Sequence, residues 1–114
     1  MRAKVKTKLQ AIRKKYDLLD RPLCRQDFDT ICEGEGIEVI EMPLRINGFF
    51  YRMKNGWKAI ALNSGMDNAE RLFVTFHELG HALLHKPTMA NERIAENERE
   101  ADLFAELATH STRC

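Results

Sequence analysis

His77-Glu78-Leu79-Gly80-His81 sets two imidazoles one helical turn apart with a carboxylate between them. Residues at i and i+4 share a helix face, so His77 and His81 can aim ring nitrogens at a single ion. Zinc suits that donor pair, since it takes neutral imidazoles at about 2.0–2.1 Å and prefers four ligands. Glu78 lies about 100° around the helix from His77. From there it can take a proton from a water polarised by the ion without binding the ion itself. The chemistry implied is metal-assisted hydrolysis, with two histidines holding and one glutamate acting as base. Roughly one shuffled chain in a hundred would carry such a motif. A chance pair of surface histidines around a solvated glutamate is therefore the weaker reading.

The helix that must carry the motif runs from Asn68 to His85. Leu72, Phe76, Leu79 and Leu83 fall within roughly 60° of one another on a helical wheel. Phe73, Gly80 and Leu84 widen that arc, and His77 and His81 lie just past its edge, at the boundary of a core. Gly80 gives up about 1 kcal/mol of helix propensity relative to alanine, which close approach of another backbone would explain. His85 continues the i, i+4 row but sits about 12 Å along the helix from His77. One ion cannot readily bind both, so His85 is expected behind the ligands, toward substrate, or in a structural role. His110 is a weaker candidate still.

A third ligand is expected on a second helix, from Glu92 to Ala108, where Ile94, Ala101, Ala105 and Ala108 share a face. Glu98 lies within about 40° of Ile94 on that wheel, on the small-residue side, where a lone carboxylate is costly to bury. A carboxylate facing two histidines completes a His-His-Glu zinc set. Asp102, one turn on, can accept the second N–H of a ligating imidazole, or can be an ordinary surface acid. Glu92, Glu96, Glu100 and Glu106 point elsewhere and are expected to be solvated.

Three segments carry a resemblance to a known family: Arg71-Leu72-Phe73, His77 through His85 (H-E-L-G-H-A-L-L-H), and Glu98 through Leu107 (E-R-E-A-D-L-F-A-E-L). Together they resemble the ImmA/IrrE zinc metallopeptidases, H-E-x-x-H enzymes of gluzincin type, over roughly Gly36 to Leu107. The resemblance implies a minimal zincin-like domain with zinc as cofactor, Glu98 as third ligand and Asp102 as the carboxylate behind it. It also implies a narrow, regulatory endopeptidase whose substrate is a helix-turn-helix repressor, of the kind found on mobile elements or in stress responses. Two departures stand out. The family pattern often continues after A-E-L into L-M-P and further helices, where here Ala108 to Cys114 follow; and Phe76 stands where a small residue is usual. A shallow cleft is the expected consequence of the first. Other H-E-x-x-H enzymes fit less well. A metzincin needs Gly and His where this chain has Leu84 and Pro87, and a peptide deformylase needs a ligating cysteine that Cys24, Cys32 and Cys114 do not supply.

The remaining sequence must position these helices. With 114 residues, 44% hydrophobic and 31% charged, the chain is expected to form a single domain with one modest core. No apolar run approaches the roughly 18 residues of a membrane span. The three cysteines at unrelated spacings point to a reducing compartment, with cytoplasm as the default. Met1 to Tyr16 is basic, yet Val5, Leu9, Ile12, Tyr16 and Leu19 recur at helical spacing. With a net charge of +1, a solvated basic face is favoured over nucleic-acid binding. A second helix is expected from Arg25 to about Glu33, ended by Gly34 and Gly36.

Strands are expected at Ile37–Met42, Gly48–Met53 and Trp57–Leu62, the last two joined by a hairpin at Lys54-Asn55-Gly56. The pattern predicts an α+β fold: N-terminal helices in 1–35, a small antiparallel sheet in 37–63, and metal-site helices in 68–108. An exposed edge of that sheet near the metal could take up an extended peptide. Tyr51, His85 and Arg71 are candidates to stabilise an oxyanion, each as readily structural. Two other classes remain open: a zinc-stabilised binding module of a phage or toxin–antitoxin pair, and a DNA-associated factor using the basic helix. Glu78 favours the enzyme, because a purely structural zinc site needs no base.

Overall fold

Helices and strands follow in the order the sequence suggests: α1 (Arg2–Lys15), α2 (Arg25–Glu35), β1 (Ile37–Met42), β2 (Gly48–Arg52), β3 (Lys58–Asn63), α3 (Asn68–Leu84) and α4 (Ile94–Thr109). The computed structural model describes residues 2–85 and 94–110. The expected start of the last helix at Glu92, Pro87 and Cys114 lie outside the described residues. No described helix is long and apolar enough to cross a membrane.

The class is α+β as expected, but the sheet is mixed, not antiparallel. Its order is β1-β3-β2, with β1 parallel to β3 and β2 antiparallel to β3. The reason lies in β3. Ala59-Ile60-Ala61-Leu62 is a continuous apolar run buried on both faces, which suits the central position. β1 carries Glu38 and Glu41 exposed and so takes an edge. The 43–47 connection then crosses the end of β3, pinned where Asn63 Oδ1 accepts the Leu44 N–H and where the Ser64 N–H meets the Met42 carbonyl. The hairpin forms where predicted. Only Gly56 takes positive φ (89°), so the loop is a turn at Lys54-Asn55 followed by one left-handed residue.

Ile37, Val39, Phe50, Ile60 and Leu62 belong to one core with Val5, Leu9 and Ile12 of α1, Phe28 and Ile31 of α2, Phe76 and Leu79 of α3, and Phe104 of α4. Phe76, the bulky departure from the family pattern, is fully buried edge-on to Phe28, with ring centroids 5.9 Å apart. The apolar stripe of α1 stops at Tyr16. The helix ends at Lys15, Asp17 turns left-handed (φ 54°), and Leu19 is left 70% exposed. The basic face of α1 is less solvated than expected, because buried Arg13 donates through Nη1 to the Leu19 and Arg21 carbonyls. Gly34 does not end α2. Gly36 does, at φ 71°, with its N–H on the Cys32 and Glu33 carbonyls.

At the other end of α2, Arg21 grips Asp27 through Nη1–Oδ2 at 2.7 Å and Nη2–Oδ1 at 3.0 Å. Asp27 Oδ2 also accepts the Cys24 N–H at 2.9 Å, capping the helix. The Arg21 bonds hold the Asp27 carboxyl down at about 2, against an ordinary 3.8. A depressed carboxylate stabilises the fold at pH values above its unfolded pKa, and the contribution is lost as pH falls through the folded one. Asp27→Asn should therefore lower Tm at neutral pH, with its melting curve converging on that of the unsubstituted protein as pH falls from 3.8 to about 2. A Tm deficit that stays constant across that window would remove the pair from the acid response.

α3 and α4 lie against each other in opposite senses, His77 meeting Asp102 and His81 meeting Glu98. Asp67 caps α3 by accepting the Glu70 N–H at 2.9 Å. Gly80 supplies the close approach: a methyl there would stand 3.1 Å from Phe104 Cβ and 3.2 Å from Ala101 Cα. Ala101, Phe104, Ala105 and Ala108 are all fully buried in this contact and the core behind it. Ile94 is the exception on the expected small-residue face, 53% exposed. Gly80→Ala gains about 1 kcal/mol of helix propensity. Because it meets backbone as well as ring, we expect overpacking to win, with a net loss of about 1–2 kcal/mol seen as a lower denaturant midpoint. A raised midpoint would show that α4 can yield.

Candidate metal centre

α3 presents His77 and His81 on the face toward α4, and α4 presents Glu98 between them. Glu98 Oε2 lies 3.1 Å from His77 Nε2, and Oε1 lies 2.9 Å from His81 Nε2. The two Nε2 atoms are 3.2 Å apart with their rings nearly perpendicular, at 82°. Two nitrogens each about 2.05 Å from a tetrahedral zinc stand about 3.3 Å apart, so the spacing fits that ion. The donor set fits as well: among the described residues His77, His81 and Glu98 form a group whose ligand atoms all lie within 4.8 Å of one another. A metal site is what this group can supply.

The surroundings set which ring nitrogen each histidine can turn toward a metal. His77 Nδ1 is 2.7 Å from Asp102 Oδ1, and a carboxylate there accepts the Nδ1 hydrogen, so Nε2 is the nitrogen that faces Glu98 and His81. Burial holds His81 below the usual imidazole value, and a neutral ring is the form that binds metal. Glu98 keeps 52% of its side chain exposed, so α4 delivers it to the histidines without the full cost of burying a charge. Glu78 differs. It is buried beside Gly48 and has no hydrogen-bond partner among the described residues, and burial raises its carboxyl to about 7, with His77 opposing and Glu98 adding to the shift. Gly48 is required by its neighbour strand: a methyl there would fall 2.8 Å from the Ala61 carbonyl, whereas at 3.5 Å from Glu78 Cγ it would make only ordinary contact.

These groups open into a cleft of about 540 Å³ lined by β2 from Gly48 to Arg52 on one wall, by His77, Glu78, His81 and His85, and by Ile94, Asn97 and Glu98. A second hollow of about 350 Å³ shares Gly48, His77 and Glu78 with it and reaches Asp102. The other sequence candidates fall elsewhere. Arg71 Nη2 donates to the Ser64 and Met66 carbonyls at the foot of α3. His110 is exposed at the end of α4. Tyr51 lines the cleft and stacks edge-on with Trp57. The expectation that Glu100 is solvated is wrong: it is 2% exposed and takes bonds from His85 Nε2 at 2.8 Å and Lys4 Nζ at 3.1 Å. Burial pushes its carboxyl up, but those two bonds outweigh burial and leave it below the usual value. Lys4 lies on α1, and its reach to α4 depends on how those helices pack. The only local signal was His85, which extends the histidine row along α3 to the point where Glu100 meets it.

The sequence model of the peptidase M78 family, described as an IrrE N-terminal-like domain, matches residues 32–110, and that span holds β1 to β3, α3 and the whole His77–His81–Glu98 group. The chain belongs to this family. It is also similar to a protein called uncharacterized immunity region protein 2 of Bacillus phage phi105, 53% identical over 36 residues. That stretch is 32% of this chain and 23% of the phage protein. No solved structure matches.

If Glu98 completes the set, Glu98→Gln should release metal on dialysis while Glu96→Gln, exposed on the same helix, keeps it. Metal content by atomic emission reads the difference. Equal retention by the two variants would remove Glu98 from the site.

Proposed function

We propose that this chain is a zinc-dependent endopeptidase of narrow, regulatory specificity, acting in the cytoplasm on a helix-turn-helix repressor. One observation carries the enzymatic reading: a buried carboxyl, Glu78, with no hydrogen-bond partner among the described residues, adjoins a three-donor group that fits a metal and opens into a cleft. Purely structural zinc sites close all four positions with protein ligands. Membership of a peptidase family supports the same reading, and the phage immunity-region relative supports a regulatory partner.

In this reading His77, His81 and Glu98 hold the zinc. Zinc there supplies Lewis acidity, polarising a peptide carbonyl and lowering the pKa of a water toward 7. Asp102 accepts the Nδ1 hydrogen of His77 and fixes that ring. Glu78, with its carboxyl at about 7, would be shifted toward the ionised form by a bound dication. Its carboxylate oxygen can then accept a proton from water and return it to the nitrogen of the departing amine. Substrate has a place to lie. β2 is an edge strand that pairs only with β3, and it walls the cleft beside the histidines. An extended segment of substrate can add to it through backbone hydrogen bonds. Residues 1–114 act as one domain, with α1 packed on α4 behind the site.

The test incubates zinc-loaded protein with a helix-turn-helix repressor encoded beside it, and with casein. We expect a single cut in the repressor and intact casein. Glu78→Gln should keep its zinc and lose cleavage by about 10²–10⁴-fold. Rapid casein digestion contradicts narrow specificity, and a zinc-dependent complex without any cut, Glu78 intact, favours a zinc-stabilised binding module.

A further inference from the structure

From His81 a line of bonds runs through His85 to Glu100, and the proposed reaction does not use it. His81 Nδ1 is 3.0 Å from His85 Nδ1, and His85 Nε2 is 2.8 Å from Glu100 Oε1. Lys4 Nζ reaches the same oxygen at 3.1 Å. His85 and Glu100 are nearly buried, at 9% and 3% side-chain exposure. We propose that His85 and Glu100 are positioning residues that act through His81, fixing the tautomer that leaves its Nε2 lone pair free toward His77 and Glu98. The inference rests on the metal-site reading above and adds to it a second, buried orienting device.

An ionised carboxylate only accepts, so the hydrogen between Glu100 and His85 belongs to His85 Nε2. In the proposed tautomer, His85 holds its single ring hydrogen on Nε2 and a bare lone pair on Nδ1. Two ring nitrogens 3.0 Å apart need one hydrogen between them, and it must come from His81 Nδ1. That leaves His81 Nε2 without a hydrogen, as metal binding requires. The same result is reached for His77 in one step, through Asp102. The chain thus orients its two imidazoles differently, one by an exposed acid on α4 and one by a buried histidine–glutamate pair. The backbone steadies the pair, since the His85 N–H also bonds the His81 carbonyl at 3.1 Å. With both ring nitrogens engaged, His85 is accounted for as neither a ligand nor an oxyanion donor.

The experiment uses the full chain loaded with zinc. Ring ¹⁵N NMR reads the His85 tautomer, and competition with a chelator reads zinc affinity for the unsubstituted protein, Glu100→Gln and His85→Phe. His85→Phe keeps the ring volume and deletes both bonds, so it serves if the buried Glu100→Gln does not fold. Asp27→Asn, remote from the site, controls for general destabilisation. We expect His85 protonated on Nε2 alone and zinc affinity weakened about 10–100-fold in both variants, with Asp27→Asn unchanged in affinity. A His85 proton on Nδ1, or variants that bind zinc as tightly as the unsubstituted chain, overturns the inference while the metal reading stands. Failure of the unsubstituted chain to bind zinc overturns the metal reading itself.

Discussion

The contact of α3 on α4 at Gly80 is the constraint on which the site depends. Phe104 and Ala101 close on the glycine so tightly that a methyl there would stand 3.1 Å and 3.2 Å from them and would need them to give way by a few tenths of an ångström. That approach brings Glu98 to within 3.1 Å of both His77 and His81. Burying Phe104 is worth about 1.5–3 kcal/mol, more than the roughly 1 kcal/mol that glycine gives up in a helix. Packing therefore wins locally, and the glycine stabilises the assembly it weakens in isolation. Because interiors are close-packed, a helix displaced by a few tenths of an ångström carries its carboxylate with it. Stability and donor geometry share one contact.

Charge is distributed around that contact by burial. Glu98 and Asp102 stay substantially exposed and meet the histidines from the solvent side. Glu100 is buried and answered by both His85 and Lys4. Asp27, remote from the site, is likewise answered by Arg21. Glu78 alone among these acids is buried without a hydrogen-bond partner, and its pKa moves up to about 7. An uncompensated ionisable group of this kind lowers stability, and such groups concentrate where chemistry is done.

The sheet serves the site through its edge. Placing the apolar β3 in the centre leaves β2 outermost on the side of α3. Gly48 lets the start of that strand lie close against the Ala61 carbonyl of β3, beside Glu78. The hairpin therefore does two things: it completes the core through Phe50 and Ile60, and it walls the cleft with backbone groups able to meet a peptide. The family match spans this sheet and both site helices, so the matched region and the geometric unit coincide.

Local spacing determined much of this protein. His77 and His81 share a face because i, i+4 is a property of any helix, and Glu98 was legible because the small residues around it marked the side that would meet a partner. The strand limits and the hairpin were equally readable, since alternation and Asn-Gly act over a few residues. Tertiary structure decided the rest. Parallel pairing of β1 with β3 follows from which strand can be buried on both faces, a comparison among strands that no single segment contains. Leu19 and Ile94 fit their helical patterns but lie at or beyond the helix ends, where they stay 70% and 53% exposed. Glu100 looked like one more solvated acid, because its partners come from the end of α3 and from α1, 96 residues away in the case of Lys4. A sequence displays the period of a face; which charged residue that face buries depends on the element that lands on it.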